Sequence, residues 1–357
     1  MGDTDIDDVR NMNEFKGVTF SKFQKTKVKK EILSCLAAGK VESACYWSGE
    51  LICAGQFFDV WETIILYISR YIHLGNPRLP IYIAMRFDNF KSILSNGYLD
   101  NELRLRNNPK IRQLFAEVIS VLCFSKKKHA FEPVKIKKTE EFDMTFIASK
   151  LKAPNVNYAQ KIFLQTDPKE LFIAINELGY HISNKSRNAV NACYWLEWLL
   201  EYHALCKKRK EKCECERRNF ATVQDKYQMD PVWLIWDTIL IESKSRNNKA
   251  NDKIINALLD IFCIKYTSGV TKRRRFLIYF AVSLLTETVD LTCEIISNQN
   301  KSAIQNIVKK IDNVVYREIK KNEESPNTDY LNHGIASKSN LDKTIERLEK
   351  MNNLNGV

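Results

Sequence analysis

No apolar run in this chain of 357 residues is long enough to cross a bilayer. Trp61–Ile68 and Phe276–Leu285 are each interrupted by charge before reaching about 18 residues. The N-terminus is acidic and polar, without the basic start and apolar stretch of a secretory signal. Ile6 stands where a myristoylation signal needs Ser or Thr. Ten cysteines are too few and too scattered for a disulfide scaffold, and a reducing compartment suits them. These absences predict an intracellular, cytoplasmic protein that is not held at a membrane.

Catalytic signatures are missing as well. There is no G-x-x-x-x-G-K-[ST] loop, and Gly39-Lys40 lacks the upstream glycine that lets a backbone wrap a phosphate. Five histidines are dispersed, and no Ser or Cys sits in a nucleophile motif. His73, ahead of Gly75-Asn76-Pro77, reads as a cation at a helix end rather than a catalytic base. The densest metal-like set is His203, Cys206, Cys213 and Cys215, but it lacks the paired-knuckle spacing of a zinc site. On a helix, its Cys-x-Cys pair would point about 200° apart. The expectation is a protein with no enzymatic activity, no cofactor and no metal.

What is present is a hydrophobic fraction of 45%, enough for one large core or two medium ones. Of six tryptophans, four fall in two ordered pairs of motifs. Ala44-Cys45-Tyr46-Trp47 recurs as Ala192-Cys193-Tyr194-Trp195, and Trp61-Glu62-Thr63-Ile64 recurs in kind as Trp236-Asp237-Thr238-Ile239. Apolar residues at helical spacing, closed by Gly39, Gly55, Gly75-Asn76-Pro77 and Gly97, predict an all-α fold built from a duplicated multi-helix unit. The expected divisions are a flexible leader at 1–20, a first helical unit at 21–125, and a basic linker at 126–166 with a short strand over 142–147. A second unit follows at 167–320, interrupted by an insertion at 206–230, and a polar tail occupies 321–357. Tryptophans within the apolar stripes read as core anchors.

The order Ala44-Cys45-Tyr46-Trp47, then Gly55, then an apolar helix ending Gly75-Asn76-Pro77 resembles the C-terminal region of the RarA/MgsA replication-associated ATPases. That resemblance implies a helical collar like that of clamp loaders, which holds oligomers together. It spans Ala44–Pro77 only, with Gln56 and Tyr71-Ile72-His73 where that family carries acidic residues, and the ATPase half is absent. As a whole, the Lys-, Asn- and Ile-rich chain with its paired Trp signature resembles a helical family of large nucleocytoplasmic DNA viruses. This implies replication, gene expression or assembly work in the host cytoplasm, a virus factory or the virion.

The charge points to anionic partners: 55 Lys and Arg against 43 Asp and Glu, a net +12. Basic clusters occur at Lys126–Lys128, at Lys135 with Lys137-Lys138, and within the insertion at Lys207, Lys208, Arg209 and Lys210, with Arg217 and Arg218 further on. The last cluster, Lys272, Arg273, Arg274 and Arg275, opens an apolar helix, where the dipole disfavours cations. A phosphate or a carboxylate from elsewhere in the fold would neutralise it. The expected function is a nucleic-acid-associated adaptor in replication or gene expression that contacts phosphates through Lys272–Arg275 and Lys207–Arg218. The alternative is a protein–protein scaffold or virion component. Protein partners or self-association fit either.

Overall fold

The computed structural model describes residues 3–98, 101–137, 142–324 and Arg347. Among these the chain is all-α, with 14 α-helices, no strand, and one isolated antiparallel bridge between Val18 and Gln24. The helices begin with α1 Lys25–Ala38, α2 Val41–Cys53, α3 Phe57–Tyr67, α4 Leu79–Ser95, α5 Pro109–Phe124, α6 Met144–Lys150 and α7 Asn157–Gln160. They continue with α8 Phe172–Ile182, α9 Ala189–Arg209, α10 Val232–Ser245, α11 Lys249–Cys263, α12 Arg275–Thr286, α13 Asn298–Ile311 and α14 Arg317–Lys320.

The expected helix stops at Gly39 and Gly55 are present, with φ of 70° and 72°, values that glycine adopts without a Cβ clash. α5 opens at Pro109, where the missing amide costs nothing in a first turn, and runs to Phe124. Other boundaries move. The α-helix expected to close at Gly75-Asn76-Pro77 ends at Tyr67 and loosens into a π-turn over Ile68–Ile72 and a 3-10 turn over His73–Gly75. Residues 142–147 form no strand, because Asp143 accepts a hydrogen bond from the Thr145 amide and caps α6. α8 runs through Gly179, whose missing Cβ admits Tyr158.

Two compact units emerge, and they divide the chain differently from the expected boundaries. The first comprises residues 1–64, 86–124 and 296–357, and the second 65–85 and 125–295. The physical reason is that α13 buries its apolar stripe against α5, while the π-turn Asp312–Tyr316 and α14 pack on α2. The C-terminal helices thus complete the first unit rather than extend the second.

In the first unit, Trp61 is fully buried, with its ring 5.1 Å from Phe87 and 5.4 Å from Phe115. Residues 3–20, expected as a loose leader, are packed instead. Ile6, Phe15 and Phe20 are buried, and Arg10 donates to the Phe20 carbonyl at 2.8 Å while its guanidinium lies over the Phe15 and Phe20 rings. Glu50 on α2 anchors this segment by accepting from the Thr19 hydroxyl at 2.8 Å and the Ser21 amide at 2.9 Å. Arg112 on α5 reaches Asp312 at 2.8 Å and lies over the Tyr316 ring, tying α5 to the C-terminal helices.

In the second unit, α8 and α9 form an antiparallel pair, and α10, α11 and α12 follow in sequence and in contact. Trp233 and Trp236 are fully buried against Phe262. The expected linker belongs to this body. Glu177 on α8 accepts from the amides of Lys152 and Ala153, both at 2.9 Å, and Asn176 accepts from the Ala159 amide at 3.1 Å. Satisfying those backbone donors holds 152–159 against α8 although it carries no apolar stripe.

The paired Trp motifs stand on helices in the same order in both halves, first on α2 and α3, then on α9 and α10. Thr63 and Thr238, matched in the second motif, each hydrogen-bond the carbonyl four residues earlier, at 2.9 and 2.7 Å. Trp61, Trp195, Trp198, Trp233 and Trp236 are buried, and Trp47 is half-buried.

Candidate nucleic-acid interface

The second unit holds 31 Lys and Arg against 21 Asp and Glu, and the first 24 against 22, so nearly all the positive excess belongs to one body. Which of its cations face solvent decides what that excess can do. The predicted basic residues separate into two groups by burial and partner.

Two arginines are buried and a third is half-buried in an ion pair. Arg274, 2% exposed, donates to the Phe262 carbonyl at 2.7 Å. Arg275 pairs with Glu197 of α9 at 3.0 Å, and Tyr279 donates to the other oxygen of that carboxylate at 2.8 Å. Burial pushes the Glu197 carboxyl up, opposed by Arg275 and the Tyr279 hydroxyl. Arg218 is 4% exposed and bridges Asp167 at 2.6 Å and Asp237 at 2.9 Å, while donating to the Ile162 carbonyl at 3.0 Å. Lys272 reaches Glu201. The charge that neutralises the start of α12 is therefore supplied by α9. Arg274 and Arg218 have almost no surface to offer a phosphate.

The remaining cations are outward. Arg273 is exposed and has no carboxylate partner among the described residues. Lys207, Lys208 and Arg209 are exposed in the last turn of α9, where the helix dipole favours cations, and among the described residues only Arg209 pairs with a carboxylate, Glu211 at 3.9 Å. Lys210 closes α9 in the left-handed conformation, φ 60°, while its amide and that of Glu211 satisfy the last carbonyls. Arg217 is exposed beside Asp225 at 3.5 Å. Lys126 and Lys127 are exposed, whereas Lys128 pairs with Glu287 at 2.7 Å. Lys138 lies outside the described residues, as does the expected tail beyond Glu324, apart from Arg347.

A cationic feature that sequence reading missed lies at the start of α11. Arg78, Lys249 and Lys253 line a groove of about 430 Å³ together with Ile81, Ala250, Ile254 and Leu291. Lys249 and Lys253 stand four residues apart and Arg78 lies 171 residues before Lys249, so no local run announces the three together.

The thiols of the Cys206, Cys213 and Cys215 set are packed into the second unit. Cys206, Cys213 and Cys215 are buried, and burial pushes the thiols of Cys213 and Cys215 up to about 12. His203 is held down at about 4 by burial and then by Lys207. Among the described residues no group of three His, Cys, Asp or Glu is arranged to hold a metal ion. His73 is buried with its ring 4.7 Å from Phe280, and burial lowers it to about 4, so it is a neutral core residue and not the helix-capping cation expected. Among the described residues no helix is long and apolar enough to cross a membrane. No family model, curated protein or solved structure matches this chain.

Proposed function

We propose that this protein is a non-enzymatic, nucleic-acid-associated adaptor in replication or gene expression, with its second unit as the nucleic-acid-facing body. The observation that carries the reading is the concentration of positive charge in that unit, together with exposed cations, Lys207, Lys208, Lys210 and Arg273, that have no carboxylate partner among the described residues. Such cations gain free energy by displacing condensed counterions from a phosphate backbone. The non-enzymatic part is supported by the thiols: burial raises Cys45, Cys53, Cys193, Cys213, Cys215 and Cys263 above the ordinary range, so none is a ready thiolate near neutral pH.

The test is a salt titration of binding to labelled single-stranded and duplex oligonucleotides. With several phosphate contacts, log K falls with log salt at about 0.7 per contact for single strands and about 0.9 for duplex. Replacing Lys207, Lys208, Lys210 and Arg273 by Gln reduces affinity and shallows that slope. A parent protein that binds neither nucleic acid at low salt, or a flat salt dependence, removes the reading in favour of a protein–protein scaffold.

A further inference from the structure

Resting on that reading, we infer that the groove of Arg78, Lys249 and Lys253 is the seat of a single-stranded nucleic acid, with a phosphodiester on the three cations and a sugar or base edge on the aliphatic wall. The groove is built from two distant pieces of the second unit. The loop after the 3-10 turn His73–Gly75 carries Arg78, and it is pinned to the extended segment before α13 because Asn76 donates to the Ile295 carbonyl at 2.9 Å and Arg78 to the Cys293 carbonyl at 3.4 Å. The opposite wall is the first turns of α11, which Asn248 caps by accepting from the amides of Ala250 and Asn251. Between them Ile81, Ile254 and Leu291 form the apolar lining.

Three observations select the occupant. No carboxylate lines the groove, and none pairs with Arg78, Lys249 or Lys253 among the described residues; the nearby acids are engaged elsewhere, Asp252 with the Ser243 hydroxyl and Asp290 with Thr292. Lys249 and Lys253 occupy the first turns of α11, at the positive end of its dipole, where Asp252 is the one acid of the first turn and is held by the Ser243 hydroxyl, so an anion in the groove meets three cations and a helix N-terminus. The cavity is concave and partly aliphatic, whereas a duplex backbone is convex and shows only sugars and phosphates. A single strand can turn a sugar or base edge inward while its phosphate stays on the cations.

The experiment uses the full chain and labelled oligothymidine, oligouridine and a duplex of equal length. Replacing Arg78, Lys249 and Lys253 together by Gln is expected to weaken single-strand binding at least about tenfold and to shallow the salt slope by about two units. The melting temperature is expected to change little, because no ion pair is lost and relief of the α11 dipole offsets the lost Arg78 hydrogen bond to the Cys293 carbonyl, the loop keeping its Asn76 bond to Ile295. Leu291→Ser is expected to weaken single-strand binding with the slope unchanged. Cys293 supplies an independent readout, since it alone of the ten cysteines is not buried: oligothymidine slows its alkylation in the parent and not in the triple variant. If the parent binds with a steep salt slope but the triple variant keeps affinity and slope, the groove assignment falls and the adaptor reading stands. Equal binding of duplex and single strand, indifferent to Leu291→Ser, also overturns the assignment. A parent that binds nothing removes both.

Discussion

His73 shows how tertiary packing can reverse the chemistry that a residue's position in the sequence suggests. At a helix end it would be a favourable cation, yet its backbone is left-handed, φ 44°, and its ring is driven into the core beside Phe280, where desolvation opposes protonation. The folded protein therefore resists taking up a proton between the ordinary 6.5 and about 4, while the unfolded chain accepts one. Stability from this residue is complete above the unfolded value and is lost as pH falls toward about 4, by roughly 3 kcal/mol at most. His203, also near 4, acts with the same sign, whereas the raised carboxyls of Glu50 and Glu197 act in the opposite sense, costing stability as pH rises through their folded values. His73→Phe removes one proton from this balance. Denaturant melts at neutral and acid pH are expected to show a smaller acid loss for the variant than for the parent; equal losses would mean that His73 is protonated in the fold.

Among the elements, α2 and α9 carry the same Ala-Cys-Tyr-Trp start and then diverge for a packing reason. Three residues beyond the tyrosine stands Gly49 in α2 and Glu197 in α9. A Cβ at Gly49 would lie 2.7 Å from Ile319 Cδ1 and 3.0 Å from Val315 Cγ1, so the glycine is what lets the C-terminal helices close on α2. At the matching site Glu197 receives Arg275 and Tyr279 from α12. Gly49→Ala gains up to about 1 kcal/mol of helix propensity but forces the stiff Val315 and the end of Ile319 outward, at about 1–3 kcal/mol. Net destabilisation is expected in a urea melt. An alanine variant more stable than the parent would show that α2 and the C-terminal helices can move apart without loss.

For the whole molecule, the consequence of the division into units is that the chain cannot be cut where sequence composition suggests. The first unit needs residues 296–324, because α13 covers α5 and Arg112 finds Asp312 there. A chain ending at Ile295 leaves the apolar faces of α2 and α5 open and takes from Arg112 both the Asp312 carboxylate and the Tyr316 ring. That truncation is expected to lose cooperative unfolding by circular dichroism and to bind a hydrophobic dye. A sharp melt like the parent's would show that the first unit stands without its last helices.

The sequence by itself determined the helical class, the helix stops at Gly39 and Gly55 and the burial of nearly every tryptophan. These follow from local rules: a 3.6-residue apolar period, a left-handed glycine, and the cost of leaving a large ring in water. It also showed that the chain is basic, and where cations run together. Only the tertiary structure decided which cations are free, because neutralisation depends on carboxylates remote in sequence. Glu197 lies 78 residues from Arg275, and Asp167 lies 51 from Arg218. For the same reason the groove of Arg78, Lys249 and Lys253 leaves no local pattern. Its charges come from two segments far apart in the chain, and only the fold brings α11 and the 76–78 loop to the walls of one cavity.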